Sequence, residues 1–357
     1  MPIGIFDSGY GGLTILREIR RRLPQYDYVY LGDNARAPYG TRSFELVYGF
    51  TLEAVKALFE RGCNLVIFAC NTASAKALRS IQQNDLPQID PSRRVLGVIR
   101  PTVESLAGIS KTGHIGVLGT PGTVASHSYA LELEKSAPDM KITEYACPMW
   151  VPLVENNEAA SPGADYFVAE YIDGLLEKDP EIDTIVLGCT HFPMLIDKIR
   201  NYVGDKMKII AQGGIVAESL ADYLMRHPEI DEKCEKNGSI QYLTTENPEK
   251  FNSIASMFMQ EDIEASRVIL PIQSLDTIRE FMPAEALPLL DSYIALHPND
   301  DEGYRIRGIK HWALGQRSSA INDYLAAIRI NPDSKAKMAL RTTYDILNYY
   351  NKDLLNP

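Results

Sequence analysis

Two of the five cysteines, Cys70 and Cys189, stand where a thiol can do chemistry. Each follows a short apolar run typical of a buried strand, and each precedes small hydrogen-bonding residues that suit the first turn of a helix. A thiol at a helix start lies near the positive end of the helix dipole, so we expect its pKa to fall below the free value of about 8.5. For a single cysteine, burial alone would be the simpler explanation, because cysteine is among the most buried residue types.

The matched placement of the two cysteines supports a more specific hypothesis. If two similar halves face each other, the two thiols lie on opposite sides of one cleft. One thiolate can then remove a proton from a substrate carbon while the other thiol supplies a proton to the opposite face, which inverts the configuration without a cofactor. Nucleophilic catalysis is the alternative, since a cysteine near a histidine can form a thioester. His191, two residues after Cys189, is compatible with either reaction.

A glycine-rich loop, DSGYGG at 7–12, follows the first predicted strand and precedes a helix. It lacks both GxGxxG and GxxxxGK[ST], and the acidic Asp7 at its head would repel phosphate. Asp7 is better suited to bind an ammonium group or to act on the thiol of Cys70, with Ser8 and the following N–H groups holding a carboxylate. The alternative is that Asp7 and Ser8 only cap the helix.

The elements that position these residues alternate between β-branched runs and helical segments up to about residue 265, which predicts α/β units around a parallel sheet. Apolar residues three or four apart predict surface helices over 14–22 and 44–61. The predicted strands are 3–6, 28–32, 65–69, 94–98, 115–118, 142–145, 184–187 and 208–210.

Two echoes inside this region suggest two similar halves. The segment 64–70 resembles 183–189, an offset of about 119 residues, and 3–8 resembles 115–120, an offset of about 112. A strand and the loop after it therefore recur before each cysteine strand. The alternative is that parallel strands resemble one another anywhere.

After residue 265 the strand-like runs stop and a helical pattern continues to the C-terminus. Five residues match the small, aromatic and helix-breaking positions of a 34-residue tetratricopeptide repeat. Three further residues lie 34 positions before three of these five. The matching residues are Gly308, Ala320, Tyr324, Ala327 and Pro332, preceded by Ala286, Leu290 and Pro298. Small residues let two helices approach closely, so we expect an all-α extension over 270–357. Every candidate catalytic residue precedes position 195, so the extension is not expected to be needed for chemistry.

Composition and charge exclude several classes of protein. Of 357 residues, 45% are apolar, and 36 Lys and Arg against 47 Asp and Glu give a net charge of −11. That sign disfavours nucleic acid and anionic membranes as partners. The first apolar stretch has no basic flank and is broken by Asp7, and the longest apolar runs are too short to span a bilayer, which predicts a cytoplasmic protein. An odd number of cysteines without CxxC spacing predicts reduced thiols and no metal site.

Six motifs in one order resemble the glutamate racemase family. They are FDSGYGGLTILREI (6–19), APYGTRS (37–43), ACNTASA (69–75), GVLGTPGTVAS (116–126), CPMWVPLVE (147–155) and GCTHFPML (188–195). The resemblance covers roughly residues 1–265. It implies cofactor-independent interconversion of L- and D-glutamate, supplying D-glutamate to peptidoglycan synthesis. It also implies two α/β lobes with mainly parallel sheets facing a central cleft, formed by 1–97 with 210–265 and by 98–209, before the extension at 270–357.

The resemblance also assigns roles to individual residues. Cys70 and Cys189 would be the paired acid and base, with Asp7 assisting Cys70 and His191 assisting Cys189. The residues implied to line or approach the substrate are Asp7, Ser8, Tyr39, Gly40, Asn71, Thr72, Thr120, Glu155, Thr190 and His191. Glutamate is the implied partner, with no cofactor; a homodimer and a protein partner for the extension are further expectations.

Three positions depart from the common family pattern. Arg100 stands where Glu is frequent, Phe192 replaces a common Tyr, and Gln212-Gly213-Gly214 replaces a frequent Asp-Ser-Gly or Asp-Ser-Ala. None is a catalytic position, so the chemistry is expected to be intact, whereas regulation and subunit packing are put in doubt. The nearest rival is an aspartate racemase of the same superfamily, whose motifs usually read CNT-x-H and GCTE. Ser74 and His191 occupy the positions at which these motifs differ from the sequence, and they favour glutamate.

Overall fold

The computed structural model describes residues 1–270, 275–279 and 281–349. The chain separates into two compact units, Met1–Ile269 and Leu270–Pro357. The last residues of the predicted extension, 350–357, lie outside the described residues. The first unit contains all ten described strands, and the described part of the second unit is helical.

The strands alternate with helices along the first unit. In chain order the strands are β1 (Ile3–Asp7), β2 (Tyr28–Gly32), β3 (Leu65–Phe68), β4 (Arg94–Gly97), β5 (His114–Gly119), β6 (Lys141–Ala146), β7 (Thr184–Gly188), β8 (Lys208–Ile210), β9 (Ile240–Thr244) and β10 (Ala265–Arg267).

The helices of the first unit are α1 (Leu13–Arg22), α2 (Phe44–Glu60), α3 (Asn71–Lys76), α4 (Leu78–Ser80), α5 (Leu86–Ile89), α6 (Ile99–Leu106), α7 (Pro121–Ala125), α8 (Ser128–Ser136), α9 (Trp150–Glu155), α10 (Pro162–Lys178), α11 (Ile196–Val203), α12 (Gln212–Arg226), α13 (Pro228–Asp231) and α14 (Pro248–Met259). Short 3₁₀ turns cover Asn34–Arg36, Phe192–Leu195 and Gly204–Lys206, and a π turn covers Ile81–Asp85. Those of the second unit are α15 (Leu275–Arg279), α16 (Pro283–Leu296), α17 (Asp301–Ala313), α18 (Arg317–Ile330) and α19 (Ala336–Tyr349).

The strands form two parallel sheets, one in each lobe of the first unit. The first has six strands in the order β10-β9-β2-β1-β3-β4, and the second has four in the order β6-β5-β7-β8. All pairings are parallel, and helices cover the sheet faces, so the central strands are buried throughout. This confirms the predicted fold class of two α/β lobes followed by a helical region.

The two pairs of similar segments, 64–70 with 183–189 and 3–8 with 115–120, contain equivalent strands of the two sheets. β1 and β3 are adjacent at the centre of the first sheet, and β5 and β7 are adjacent at the centre of the second. Cys70 follows β3 and Cys189 follows β7. Both thiols therefore leave corresponding strands at the carboxyl edge, where α/β folds bind their ligands.

Two strands of the first sheet were missed by the sequence prediction. β9 pairs with β2, and β10 pairs with β9 at the edge of the sheet. The expectation that strand-like runs stop at residue 265 was therefore wrong by a few residues. β10 has only three residues, two of them exposed, so it carries no periodic signal of its own.

The second unit packs helix against helix through small residues. A Cβ on Gly308 of α17 would lie 2.6 Å from the ring of Tyr324 on α18, so the two helices approach closely only because this residue is glycine. Ala320, Ala327 and Ala336 are fully buried in the same cluster. Among the helices of the described residues, none has the length and apolar character needed to cross a bilayer.

Candidate active site

A small cavity of about 80 Å³ lies between the carboxyl edges of the two sheets. Its wall combines residues that follow strands of both lobes. The sequence-predicted residues in the wall are Ser8, Tyr39, Gly40, Cys70, Asn71, Thr72, Thr120, Glu155, Cys189, Thr190 and His191. The cavity brings the two predicted cysteines into one site. Of the described residues, no group of three or more His, Cys, Asp or Glu is arranged to hold a metal ion.

Cys70 caps α3, and its thiol is held by two contacts. Its S–H donates to the Ser8 hydroxyl oxygen at 3.4 Å, and its sulfur accepts from the backbone N–H of Ala73 at 3.4 Å. The side chain is 5% exposed, so the thiol meets the cavity but not bulk water. The sequence NTAS after the strand produces this arrangement, since small residues allow a tight first turn.

The expectation that the helix start lowers the pKa of the Cys70 thiol was wrong. Burial and the nearby Asp7 carboxylate raise the pKa of Cys70 to about 12, although the contacts from Ser8 and from the Ala73 N–H act in the opposite direction. A helix of only six residues offers few aligned dipoles, whereas loss of water disfavours a thiolate strongly. Cys70 therefore rests as a thiol, which is the form that gives a proton.

In the same cavity wall, Cys189 belongs to a chain of three side chains. Its sulfur lies 3.8 Å from Nδ1 of His191, and Nε2 of His191 lies 3.1 Å from Oε1 of Glu155. Glu155 ends α9, whereas His191 lies in the turn directly after β7. The sequence places Glu155 only near the substrate; the structure shows that its carboxylate bonds the histidine.

The electrostatics of this chain favour a charged imidazole. Burial acts to lower the pKa of His191, but the hydrogen bonds and negative charge of Cys189 and Glu155 outweigh it and raise that pKa to about 10. An imidazolium beside the sulfur balances negative charge on Cys189. The two cysteines therefore have different surroundings, with the Ser8 hydroxyl and the Ala73 N–H at Cys70 and the His191 cation at Cys189.

Asp7 lies behind the cavity wall and does not line it. It is fully buried at the end of β1, where its carboxylate accepts from the Gly9 N–H at 2.9 Å and lies 3.5 Å from the Thr190 hydroxyl. Burial raises the pKa of Asp7, opposed by the charge of His191 and by backbone N–H groups. Asp7 therefore affects the site indirectly, because it binds the backbone of the loop that follows β1 and because its negative charge acts on Cys70.

The remaining predicted residues connect the two lobes at the cavity. Thr72 of α3 lies with its hydroxyl 3.0 Å from that of Thr120, which caps α7 in the other lobe. The Gly40 carbonyl accepts from the Gly122 N–H at 2.7 Å. The Tyr39 hydroxyl donates to Asp33 and not toward the cavity. Tyr39 therefore contributes its ring and backbone to the wall.

Comparison with known proteins identifies the family. Residues 13–219 match the family model described as Asp/Glu/Hydantoin racemase. The glutamate racemase of Ruegeria sp. (strain TM1040) is 39% identical over 273 residues, covering 74% of this chain and 98% of the relative. That of Streptococcus agalactiae serotype III is 36% identical, covering 75% and 98%. The chain belongs to the glutamate racemase family.

Solved structures of this family have the same fold. The glutamate racemase isoform RacE1 from Bacillus anthracis matches with a TM-score of 0.69 and 35% identity, covering 76% of this chain and 98% of that one. The Francisella tularensis glutamate racemase, solved in complex with D-glutamate, matches with a TM-score of 0.67 and 31% identity, covering 75% and 97%. About a quarter of this chain lies outside each match.

Some residues of this glutamate racemase family member escaped the sequence reasoning. Cys147 also lines the cavity and is 1% exposed. It follows β6 just as the other two cysteines follow β3 and β7, so its position after a strand was the available signal. Gly11 lies against Thr190 and His191 so closely that no side chain fits there. Nothing in the loop sequence alone shows that contact, because its partners are about 180 residues away.

The charged state of His191 leads to a prediction about pH. A raised pKa keeps the imidazole protonated until the pH passes about 10, so we expect kcat for glutamate to fall as the pH rises through about 10. Measuring kcat and not kcat/KM avoids titration of the free substrate's amino group. His127→Asn is the matched control, because His127 is largely exposed and pairs with Glu144. A His191→Asn variant that keeps both the wild-type rate and the alkaline fall would contradict this prediction.

Proposed function

We propose that this protein is a cofactor-independent glutamate racemase in which Cys70 and Cys189 serve opposite faces of the substrate. The observation that carries the proposal is the cavity between the two lobes, whose wall contains Cys70 after β3 and Cys189 after β7. Family membership supports it, since the relatives named above are glutamate racemases. In the family, the product D-glutamate supplies peptidoglycan synthesis.

The proposed reaction moves one proton off and one proton onto the α-carbon. In one direction the Cys189 sulfur, balanced by the His191 cation, takes the α-proton and becomes a thiol. The electron pair left on carbon takes the proton of the Cys70 thiol from the opposite face. Cys70 ends as a thiolate next to Ser8 and the Ala73 N–H, both of which stabilise that charge. The reverse direction exchanges the two roles.

The cavity wall supplies groups for the polar ends of glutamate. We assign the substrate carboxylates to the hydroxyl and amide donors of the wall, and we assign the backbone N–H groups around Gly40 to the same task. These donors are Ser8, Asn71, Thr72, Thr120 and Thr190. Asp7, behind the wall, supplies negative charge near Cys70, and Glu155 holds His191 in orientation.

A single assay tests this function. Purified protein is incubated with L-glutamate or with L-aspartate, without added cofactor, and the enantiomers are separated by chiral chromatography. We expect racemic glutamate. Failure to racemise glutamate while aspartate is converted would replace this proposal with the aspartate alternative, which the relatives do not favour.

Substrate length gives a quantitative prediction. We expect kcat/KM for glutamate to exceed that for aspartate by about tenfold to a hundredfold, because aspartate is one methylene shorter and leaves fixed donors of the wall unpaired. Both substrates are measured as the same enantiomer on the same protein preparation. Equal values for the two amino acids would contradict the assignment of the wall donors to the distal carboxylate.

For the second unit we propose a tetratricopeptide-like arrangement. The supporting observations are the helix pair α17 and α18, the close approach at Gly308 and the buried alanines beside it. A protein partner for this unit, a homodimer and a cytoplasmic location stay predictions.

A further inference from the structure

A buried ring of neutral side chains lies behind the Cys70 wall. Asn71 donates from Nδ2 to Oε1 of Gln212 at 2.6 Å, Gln212 donates from Nε2 to the Tyr129 hydroxyl at 2.8 Å, and Tyr129 donates to Oδ1 of Asn71 at 2.7 Å. All three side chains are at most 2% exposed. Each of the three side chains donates one hydrogen bond to the next, so the three bonds form a closed ring.

The second N–H of the Gln212 amide connects the ring to the segment by which the chain passes from the first sheet to the second. It donates to the Thr102 hydroxyl at 2.9 Å, and that hydroxyl donates to the Val98 carbonyl at 2.7 Å. Gln212 therefore uses both of its N–H donors and its oxygen. A carboxylate in this position could accept but not donate, so it would leave the Thr102 and Tyr129 oxygens without their donor.

The ring joins the places where the chain passes between the sheets. The chain leaves the first sheet after β4 and enters the second at β5, and Val98 and Thr102 lie in that crossing. It returns after β8, and Gln212 is the first residue of the helix that follows. Tyr129 lies on α8 of the second lobe. Both crossings and both lobes are thus tied to Asn71, the residue next to Cys70.

We propose that Gln212 is a positioning residue that holds Asn71, and through it the Cys70 face of the site, in register with the opposite lobe. The ring uses one N–H of Asn71 and leaves the other to be presented to a substrate carboxylate. Gln212 does not line the cavity, so its effect passes through Asn71. This inference rests on the proposed racemase function.

The test compares Gln212→Met with Gln82→Met. Methionine keeps the length of glutamine but removes the donors and the acceptor. Gln82 is the matched control, because its Nε2 donates to the Val95 carbonyl and it does not line the cavity. We expect Gln212→Met to lower kcat/KM for glutamate by about tenfold to a hundredfold, as expected for buried groups left unpaired. Gln82→Met is expected to stay within about twofold of wild type.

A second readout distinguishes positioning from a general loss of structure. Each glutamate enantiomer is assayed with deuterium at the α-carbon. If the Cys70 face is displaced, the isotope effect on kcat/KM rises for the enantiomer that Cys70 deprotonates and does not rise for the other. Tyr129→Phe, which deletes one hydroxyl of the ring, provides a milder variant. The double variant is expected to lose no more than about the larger single loss, because both act on one ring.

The outcomes separate this inference from the proposed function. An active wild type with Gln212→Met within about twofold of Gln82→Met overturns the inference alone. So does an equal change of both isotope effects, or full additivity of the two ring variants. A wild type that does not racemise glutamate overturns the proposed function, and the inference with it.

Discussion

Replacing Cys70 or Cys189 with alanine is expected to lower racemisation of glutamate by about a thousandfold or more in both directions. Each variant lacks the group that serves one face of the α-carbon, and removal of a positioned acid or base costs about two to four orders of magnitude. Because inversion requires both faces, neither single cysteine compensates for the other. The measurement is the rate of appearance of the opposite enantiomer, starting from L- and from D-glutamate.

The controls for this prediction are Cys63→Ala and Cys234→Ala. Both cysteines are buried and free, as are the two candidates, but neither lines the cavity. They are expected to retain nearly full turnover. Racemisation by either of the first two variants at the wild-type rate would exclude the two-base mechanism.

Deuterium exchange makes the same prediction sharper. In D₂O each single-cysteine variant retains one base, whose thiol proton exchanges with solvent. We therefore expect each variant to incorporate deuterium at the α-carbon of one enantiomer without inverting it, and the two variants to act on opposite enantiomers. Exchange of the same enantiomer by both variants would show that the cysteines do not serve opposite faces.

Gly11→Ala is expected to reduce activity by about a hundredfold or more. A Cβ at this position would lie 2.3 Å from the Thr190 hydroxyl and 2.5 Å from Nδ1 of His191, so it cannot be added without displacing the histidine from Cys189. Displacement by about an ångström from a productive geometry costs about a hundredfold. The measurement is kcat/KM for glutamate, together with a thermal unfolding curve to confirm that the variant is folded.

Gly214→Ala is the matched control for this prediction. A Cβ there would meet no atom within 4 Å, and the residue lies inside α12, where alanine is preferred over glycine. It is expected to keep wild-type activity and the same or higher stability. Wild-type activity of Gly11→Ala would show that His191 is not held by close packing against the loop.

Much of the site's location followed from the sequence, because it depends on local pattern. Apolar runs ending in Cys70 and Cys189 identified two equivalent strands, and strand ends in parallel sheets converge at one edge. The order of the six motifs indicated the family. Small residues at Gly308 and its neighbours indicated closely packed helices. These signals are short-range, so they can be read without knowing which segments meet.

Only the tertiary structure decided which distant residues come into contact and which side chains are buried away from water. The pKa of Cys70 rises and not falls, because burial outweighs a short helix dipole. Asp7 lies behind the cavity wall, and Gly11 excludes any side chain because His191 packs on it from a distant strand. Gln212, which the sequence marks only as a departure from the family pattern, is buried in the ring around Asn71. Partners separated by a hundred residues or more leave no periodic trace in the chain, so only folding brings them together.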